Sequence, residues 1–211
     1  FDAITLNDER SGETLALTVD NEIDSVLVGS PPSMELDIAV PADLRVARVD
    51  TATGDVGVSD TAGELSVETA TGDVDVTETV AGVSIDTNTG DVVVSGAGGP
   101  VRTSTDTGDV QVRRGRIDDI QTTTGDVDVE VAALDGDAEI GTDTGDVEAA
   151  LSASLDARVV VETDTGDVSA SGLDFTDVET AEHSLEGTLG EGTNQFSIET
   201  TTGDVTLTGA E

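Results

Sequence analysis

Eight aspartates recur at one fixed place in this chain. Asp55, Asp73, Asp91, Asp109, Asp126, Asp146, Asp167 and Asp204 each follow a glycine, at Gly54, Gly72, Gly90, Gly108, Gly125, Gly145, Gly166 and Gly203, inside the tetrapeptide Thr-Gly-Asp-Val. A ladder of carboxylates could gather cations, with neighbours about 5 Å apart repelling by roughly 1 kcal/mol in water. Calcium, however, takes about six to eight oxygen ligands, and one carboxylate per repeat supplies few. The Gly-Gly-X-Gly-X-Asp nonapeptide of calcium-loaded rolls is also absent. The expected chemistry of these pairs is therefore turn formation: glycine reaches positive φ without steric cost, and aspartate bonds nearby backbone amides. No metal and no cofactor is expected.

Other chemistry finds even less support. Polysaccharide cleavage needs two carboxyl groups at a defined separation, commonly with a cation and aromatic faces beside the sugar. Here the carboxylates are placed by the repeat, Trp and Tyr are absent, and Phe stands only at positions 1, 175 and 196. The single histidine, His183, is expected at the surface. No enzyme is predicted. Arg113, Arg114 and Arg116, with Arg102 one repeat earlier, form the one basic cluster; it could dock an acidic partner or anionic lipid, but offsetting nearby acids is the expected role. No Gly-rich loop with Lys exists to hold a nucleotide phosphate.

The charge balance narrows the partners. Among 211 residues, 46 are acidic and 8 basic, all of the latter Arg, for a formal net charge of -38. Nucleic acid is excluded, since phosphate binding needs clustered cations. An acidic, lysine-free surface suits molar salt, where repulsion is screened over roughly 3 Å at 1 M; a halophilic source is expected, with an acidic protein of an ordinary organism as the alternative. Cysteine is absent, which removes disulfides and thiolate metal sites. No run of 18 apolar residues occurs. The first residue is Phe1 and no hydrophobic leader precedes it, so a processed or shortened chain is expected.

The elements that hold these aspartates follow from the spacing. The tetrapeptides begin 18, 18, 18, 17, 20, 21 and 37 residues apart, a period that marks a coiled, stacked architecture. From Leu65 to Val76, period-two alternation puts Leu65, Val67, Thr69 and Thr71 inside and Ser66, Glu68 and Ala70 outside; parity slips at Gly72 and Asp73, and Val74 and Val76 face inward again. Val83, Ile85, Thr87 and Thr89 repeat the pattern. Ile117, Ile140, Val159, Val161 and Ile198 take similar places later. Strands that recur in one orientation must pair in parallel with their copies, about 4.8 Å along the axis. The predicted fold is all-β: a single right-handed parallel β-helix, about 18 residues per turn and roughly ten turns. One domain spans 1–211, with 1–49 as irregular N-terminal coils and 50–211 as regular repeats. In the N-terminal part, Leu15 to Val19, Ile23 to Val28, Met34 to Val40 and Leu44 to Val49 read as strands. The long last interval predicts a degraded corner near His183 to Leu189.

An uncapped end would make such a coil adhesive, because unpaired N–H and C=O groups template another sheet. Val205 to Thr208 ends a strand close to Glu211, and no helix follows it. Phe196, Ile198, Val205 and Leu207, with Leu15, Leu17 and Val19 from the N-terminal strand, are therefore the expected polymer interface. Self-association without nucleotide is the expected partnership.

The Thr-Gly-Asp-Val corners, preceded by Met34 to Pro41 (Met-Glu-Leu-Asp-Ile-Ala-Val-Pro), resemble the putative-adhesin family of β-strand repeats. With the lysine-free composition, the chain is most similar within it to the haloarchaeal halofilins, which are bactofilin-like. That resemblance implies a cytoskeletal scaffold that polymerises end to end, lies in the cytoplasm with possible membrane or envelope association, and influences cell shape; it carries over no functional residue. The alternative reading is an extracellular adhesin or cell-envelope module at the cell surface, mildly disfavoured by the lack of any Asn-X-Ser/Thr sequon at Asn7, Asn21, Asn88 or Asn194.

Overall fold

The computed structural model describes residues 4–11, 14–21, 36–41 and 45–210. The chain divides into two compact units, Phe1–Ala39 and Val40–Glu211, where one domain was expected. In the first unit, β1 (Ile4–Ser11) and β2 (Thr14–Asn21) pair as an antiparallel hairpin, Ile4 opposite Asn21 and Ser11 opposite Thr14. Leu15, Leu17 and Val19 thus lie in a hairpin strand and not in a coil of the stack, which corrects the first expected coil. Ile23 to Val28, Met34 and Leu44 fall outside the described residues, while 36–41 form no strand and leave Leu36, Ile38 and Val40 exposed.

The second unit is built from β3 (Arg48–Thr51), β4 (Val56–Ser59), β5 (Leu65–Thr69), β6 (Val74–Thr79), β7 (Val83–Thr89), β8 (Val92–Ala97), β9 (Pro100–Thr107) and β10 (Val110–Thr124). It continues with β11 (Val127–Val131), β12 (Ala138–Thr144), β13 (Val147–Ser152), β14 (Ala157–Thr165) and β15 (Val168–Ser171). Last come β16 (Thr176–Thr180), β17 (Ser184–Leu189), β18 (Asn194–Thr202) and β19 (Val205–Ala210). Two ladders of parallel strands meet at the glycine corners. One carries the strand before each corner, pairing Val67 with Val49 and Ile85; the other carries the strand after it, pairing Val74 with Val56 and Val92. The bent β10 belongs to both.

Alternation fills the interior. Leu65, Val67, Val74, Val76, Val92 and Val94 are buried, as are their counterparts through β13 and β19, whereas in β15 Val168 is half-buried and Ala170 exposed. Val and Ile suit this surface because two heavy atoms on Cβ fit the pleat. One parity expectation fails. Thr69 and Thr87 are buried, but Thr71 and Thr89 are exposed, as is the motif threonine at every other corner. The chain leaves the strand plane one residue earlier than alternation implies, so the inward threonine is the one two residues before the motif.

Order along the axis departs from order along the chain. The corner at Gly145 bonds the corner at Gly203, with the Gly145 amide donating to the Thr202 carbonyl at 2.9 Å; the Gly203 amide then donates to the Thr165 carbonyl at 2.9 Å. Accordingly β18 lies between β12 and β14, and β19 between β13 and β15. The C-terminal coil is inserted one place inside the end. Beyond β14 sits β17, antiparallel, with Leu185 opposite Val161 and Leu189 opposite Ala157, and β16 pairs antiparallel on its far side. Ser184 to Leu189 is therefore no degraded corner: it is a reversed strand.

Asp156 fixes the crossover from β17 to β18. Its carboxylate accepts the Glu191 amide at 3.0 Å, the Thr193 amide at 2.9 Å and the Thr193 hydroxyl at 3.0 Å. The Thr193 amide first, aided by the Thr193 hydroxyl and the Glu191 amide, holds the Asp156 carboxyl below the ordinary aspartate range. A carboxyl lowered in the folded state contributes stability that is present above its unfolded pKa and lost as pH falls through the folded value. Asp156→Ala should thus lower the melting temperature at neutral pH, and the gap from the parent should close in acid. Melting curves across pH check this; a gap that persists unchanged below the folded value would refute the assignment.

Candidate functional site

Among the described residues, the corner column is the array in which the fold places chemistry-bearing side chains at a fixed repeat. At each corner the glycine has positive φ, from +129° at Gly54 to +154° at Gly145. The bend turns the following amide away from any carbonyl, and the preceding aspartate of the column fills the gap. Asp73 donates its amide to the Asp55 carboxylate at 3.0 Å, Asp91 to Asp73 at 2.9 Å, Asp109 to Asp91 at 2.9 Å and Asp126 to Asp109 at 2.8 Å. Asp146 to Asp126, Asp204 to Asp146 and Asp167 to Asp204 follow, each at 2.8 Å. Carboxylate-to-amide bonds of this length are among the stronger ones available to a surface residue. All eight corner aspartates are thereby joined in one chain of carboxylate-to-backbone bonds.

Threonines line the inner side of the same column. Thr122, Thr142, Thr200 and Thr163 donate their hydroxyls to the carbonyls of Gly108, Gly125, Gly145 and Gly203, at 3.4, 3.4, 3.3 and 3.1 Å. In the earlier coils the buried hydroxyls of Thr69, Thr87, Thr103 and Thr105 lack a partner.

The basic cluster is consumed by ion pairs. Arg113 meets Asp128 at 2.8 Å, Arg114 meets Glu78 at 3.0 Å, Arg116 meets Asp135 and Arg102 meets Asp118. His183 is exposed and lies 2.5 Å from the Gly166 carbonyl through Nδ1, which must therefore carry the proton. Two shallow grooves, of about 240 and 450 Å³, run over the outer faces of the strands before the corners; the first is lined by Glu139, Asp143, Glu162, Asp164 and Glu199 among others. Neither brings a base or nucleophile against a positioned partner. Among the described residues, no group of His, Asp or Glu has metal-holding geometry, and no helix is long and apolar enough to cross a membrane.

The four C-terminal residues of the expected polymer interface are not at an open end. Phe196, Ile198, Val205 and Leu207 are each 0% exposed, because β18 and β19 have a paired coil on both sides. What closes the stack instead is the β16–β17 excursion. Leu185 and Leu189 are buried against the last coil, and Leu173 and Phe175 are half-buried against the core. Gly187 makes room for the aromatic ring: a Cβ there would lie 2.8 Å from the Phe175 ring. The sequence held one signal of this cap, the 37-residue interval, in which two of the chain's three phenylalanines, Phe175 and Phe196, and its only histidine fall together.

No curated protein sequence matches the chain. Among solved structures, it is similar to the crystal structure of a "putative cell adhesion protein" from Clostridium sporogenes, at 13% identity and a TM-score of 0.33, over 98% of this chain and 76% of that one. A family model, Toastrack DUF4097, matches residues 5–208, so corners, inserted coil and cap all fall within its span. The chain belongs to the Toastrack DUF4097 family.

Proposed function

We propose that this protein is a non-enzymatic structural module, an acidic β-solenoid that holds contact surfaces at the cell envelope or cell surface in the manner of an adhesin. The observation that carries this reading is the capped end. A cytoskeletal, bactofilin-like filament needs two complementary open ends, and the β16–β17 excursion occupies one of them. A stack whose every coil is hydrogen-bonded to the next also opens locally only at high cost, which suits a protein exposed to proteases. We take the coil to be right-handed, by the twist argument that governs crossover connections. The decisive experiment is protease treatment of intact cells carrying a tagged chain, together with sedimentation of the purified protein. Surface cleavage and a monomeric boundary support the reading; protected intracellular filaments would defeat it and restore the cytoskeletal alternative.

The net charge of -38 also favours life in concentrated salt. The corner carboxylates are held in one column, and screening there shortens from about 8 Å at physiological ionic strength to about 3 Å at 1 M. Thermal unfolding should therefore move upward by many degrees between dilute buffer and multimolar KCl. Equal melting curves in the two solutions would remove the halophilic reading.

A further inference from the structure

At the last corner, two residues of the cap stand in for a coil that is not there. In the regular stack the amide of each motif valine donates to the aspartate carbonyl of the next coil, as Val147 does to Asp204 and Val205 to Asp167, both at 2.9 Å. At the four corners Gly108, Gly125, Gly145 and Gly203 the glycine carbonyl also accepts the inward threonine hydroxyl of the next coil, Gly203 from Thr163. At the last corner the Val168 amide donates to the Glu182 carbonyl at 3.3 Å, and the Gly166 carbonyl accepts from His183 Nδ1 at 2.5 Å. The imitation is incomplete. Each earlier corner carboxylate accepts an aspartate amide from the next coil, but among the described residues nothing donates to Asp167 in this way. Among them β15 has a paired register with β19 alone.

We propose that residues 173–189 are a displaceable terminator, and that the surface beneath them fits one partner, the first coil of a second copy of this chain. This rests on the capped-module reading given above. The first coil repeats the sequence of the last: Thr-Ala-Thr-Gly-Asp-Val at 51–56 against Thr-Asp-Thr-Gly-Asp-Val at 163–168. Within its unit, β3 pairs only with β5 and β4 only with β6, so each has an outer edge. Stacked in register, the Asp55 amide of the incoming copy would meet the Asp167 carboxylate, and its Asp55 carbonyl would take the Val168 amide from Glu182. In a parallel strand, alternate residues direct their N–H and C=O to opposite sides. Val56 donates to Asp73, so Gly57 points its amide outward, toward the would-be neighbour. Such a head-to-tail joint is heterologous and open, and so generates a filament.

The test is velocity sedimentation of the full chain in multimolar KCl. The parent is expected to run as a 21.3 kDa monomer. Leu185→Asp with Phe175→Ser, which unseats the cap, should shift it to assemblies about ten-fold heavier or more, and adding Gly57→Pro should return it to monomer. An uncapped protein that stays monomeric with the parent's circular dichroism would overturn the inference and leave the envelope reading standing. Assemblies that survive Gly57→Pro would also overturn it, because exposed apolar surface and not the first coil would then hold them. If the double variant loses its circular dichroism, His183→Ala with Glu182→Pro leaves Leu185 in place and is read by the same two outcomes. A parent that already assembles would instead sink the capped-module reading.

Discussion

Replacing Gly108 by Ala should destabilise the stack by more than about 3 kcal/mol. Two costs act together. The residue has φ +148°, a region that L side chains rarely enter, and a Cβ there would lie 2.0 Å from the Gly90 carbonyl oxygen. That oxygen belongs to the backbone of the neighbouring coil and cannot swing aside. Relief requires the two coils to part at the corner, which loosens the Gly90-to-Thr107 amide bond and the Asp109-to-Asp91 carboxylate bond. Each such bond contributes about 1 kcal/mol net, somewhat more where a charge is involved. Gly54 supplies the control. Its φ is +129°, but nothing lies within 4 Å of the added Cβ. Gly54→Ala should cost only the backbone term, about 1–2 kcal/mol. Urea unfolding of both variants at constant high salt measures the difference. Equal losses would show that conformation alone, and not the close approach of stacked corners, demands glycine.

The contrast explains why the corners could be read from sequence while the order of the coils could not. Glycine and aspartate are each required at the bend, one by φ and close approach, the other by an amide that the bend leaves without a carbonyl. Both requirements recur at every coil, so they leave a repeated mark. The inward Val and Ile positions left theirs through alternation. Which corner lies above which is another matter. Thr144 to Val147, Thr165 to Val168 and Thr202 to Val205 are chemically the same unit, and any of them can sit on any other. The choice is made by the connections. After β15 the chain runs through Phe175 and the reversed strand β17, and the Asp156-held turn then returns it to the inner side of β14. Alternation in Ser184 to Leu189 is the same for a parallel and an antiparallel strand, so direction was not legible there. Leu15 to Val19 misled in the same way, since its alternation fits a hairpin as well as a coil. His183 read as an isolated surface histidine, because its role depends on a corner carbonyl 17 residues back in the chain and adjacent only in the fold.

Insertion of the last coil also changes what a substitution there should do. Phe196→Asp is expected to unfold the coils around it and not to act on assembly. Phe196 stacks on Ala138 on one side and Val159 on the other, and it is 0% exposed. Loss of the ring alone costs about 3–5 kcal/mol, and an unpaired carboxylate in its place adds several more unless it takes up a proton. That total is comparable with the whole stability of an ordinary domain, about 5–15 kcal/mol. Leu207→Lys should behave alike, because Leu207 is enclosed between Ala149 and Ala170. Val178→Asp is the matched control: Val178 is 51% exposed on the outermost strand, and its loss should stay within about 0.5 kcal/mol. Far-ultraviolet circular dichroism and melting curves in multimolar KCl separate the cases. A Phe196→Asp protein that kept the parent's melting temperature would mean that the C-terminal coil is not enclosed. An enclosed coil makes Phe196 part of the core, and it leaves the cap, with Leu185, Phe175 and His183, as the part of the stack at which the proposed joint would form.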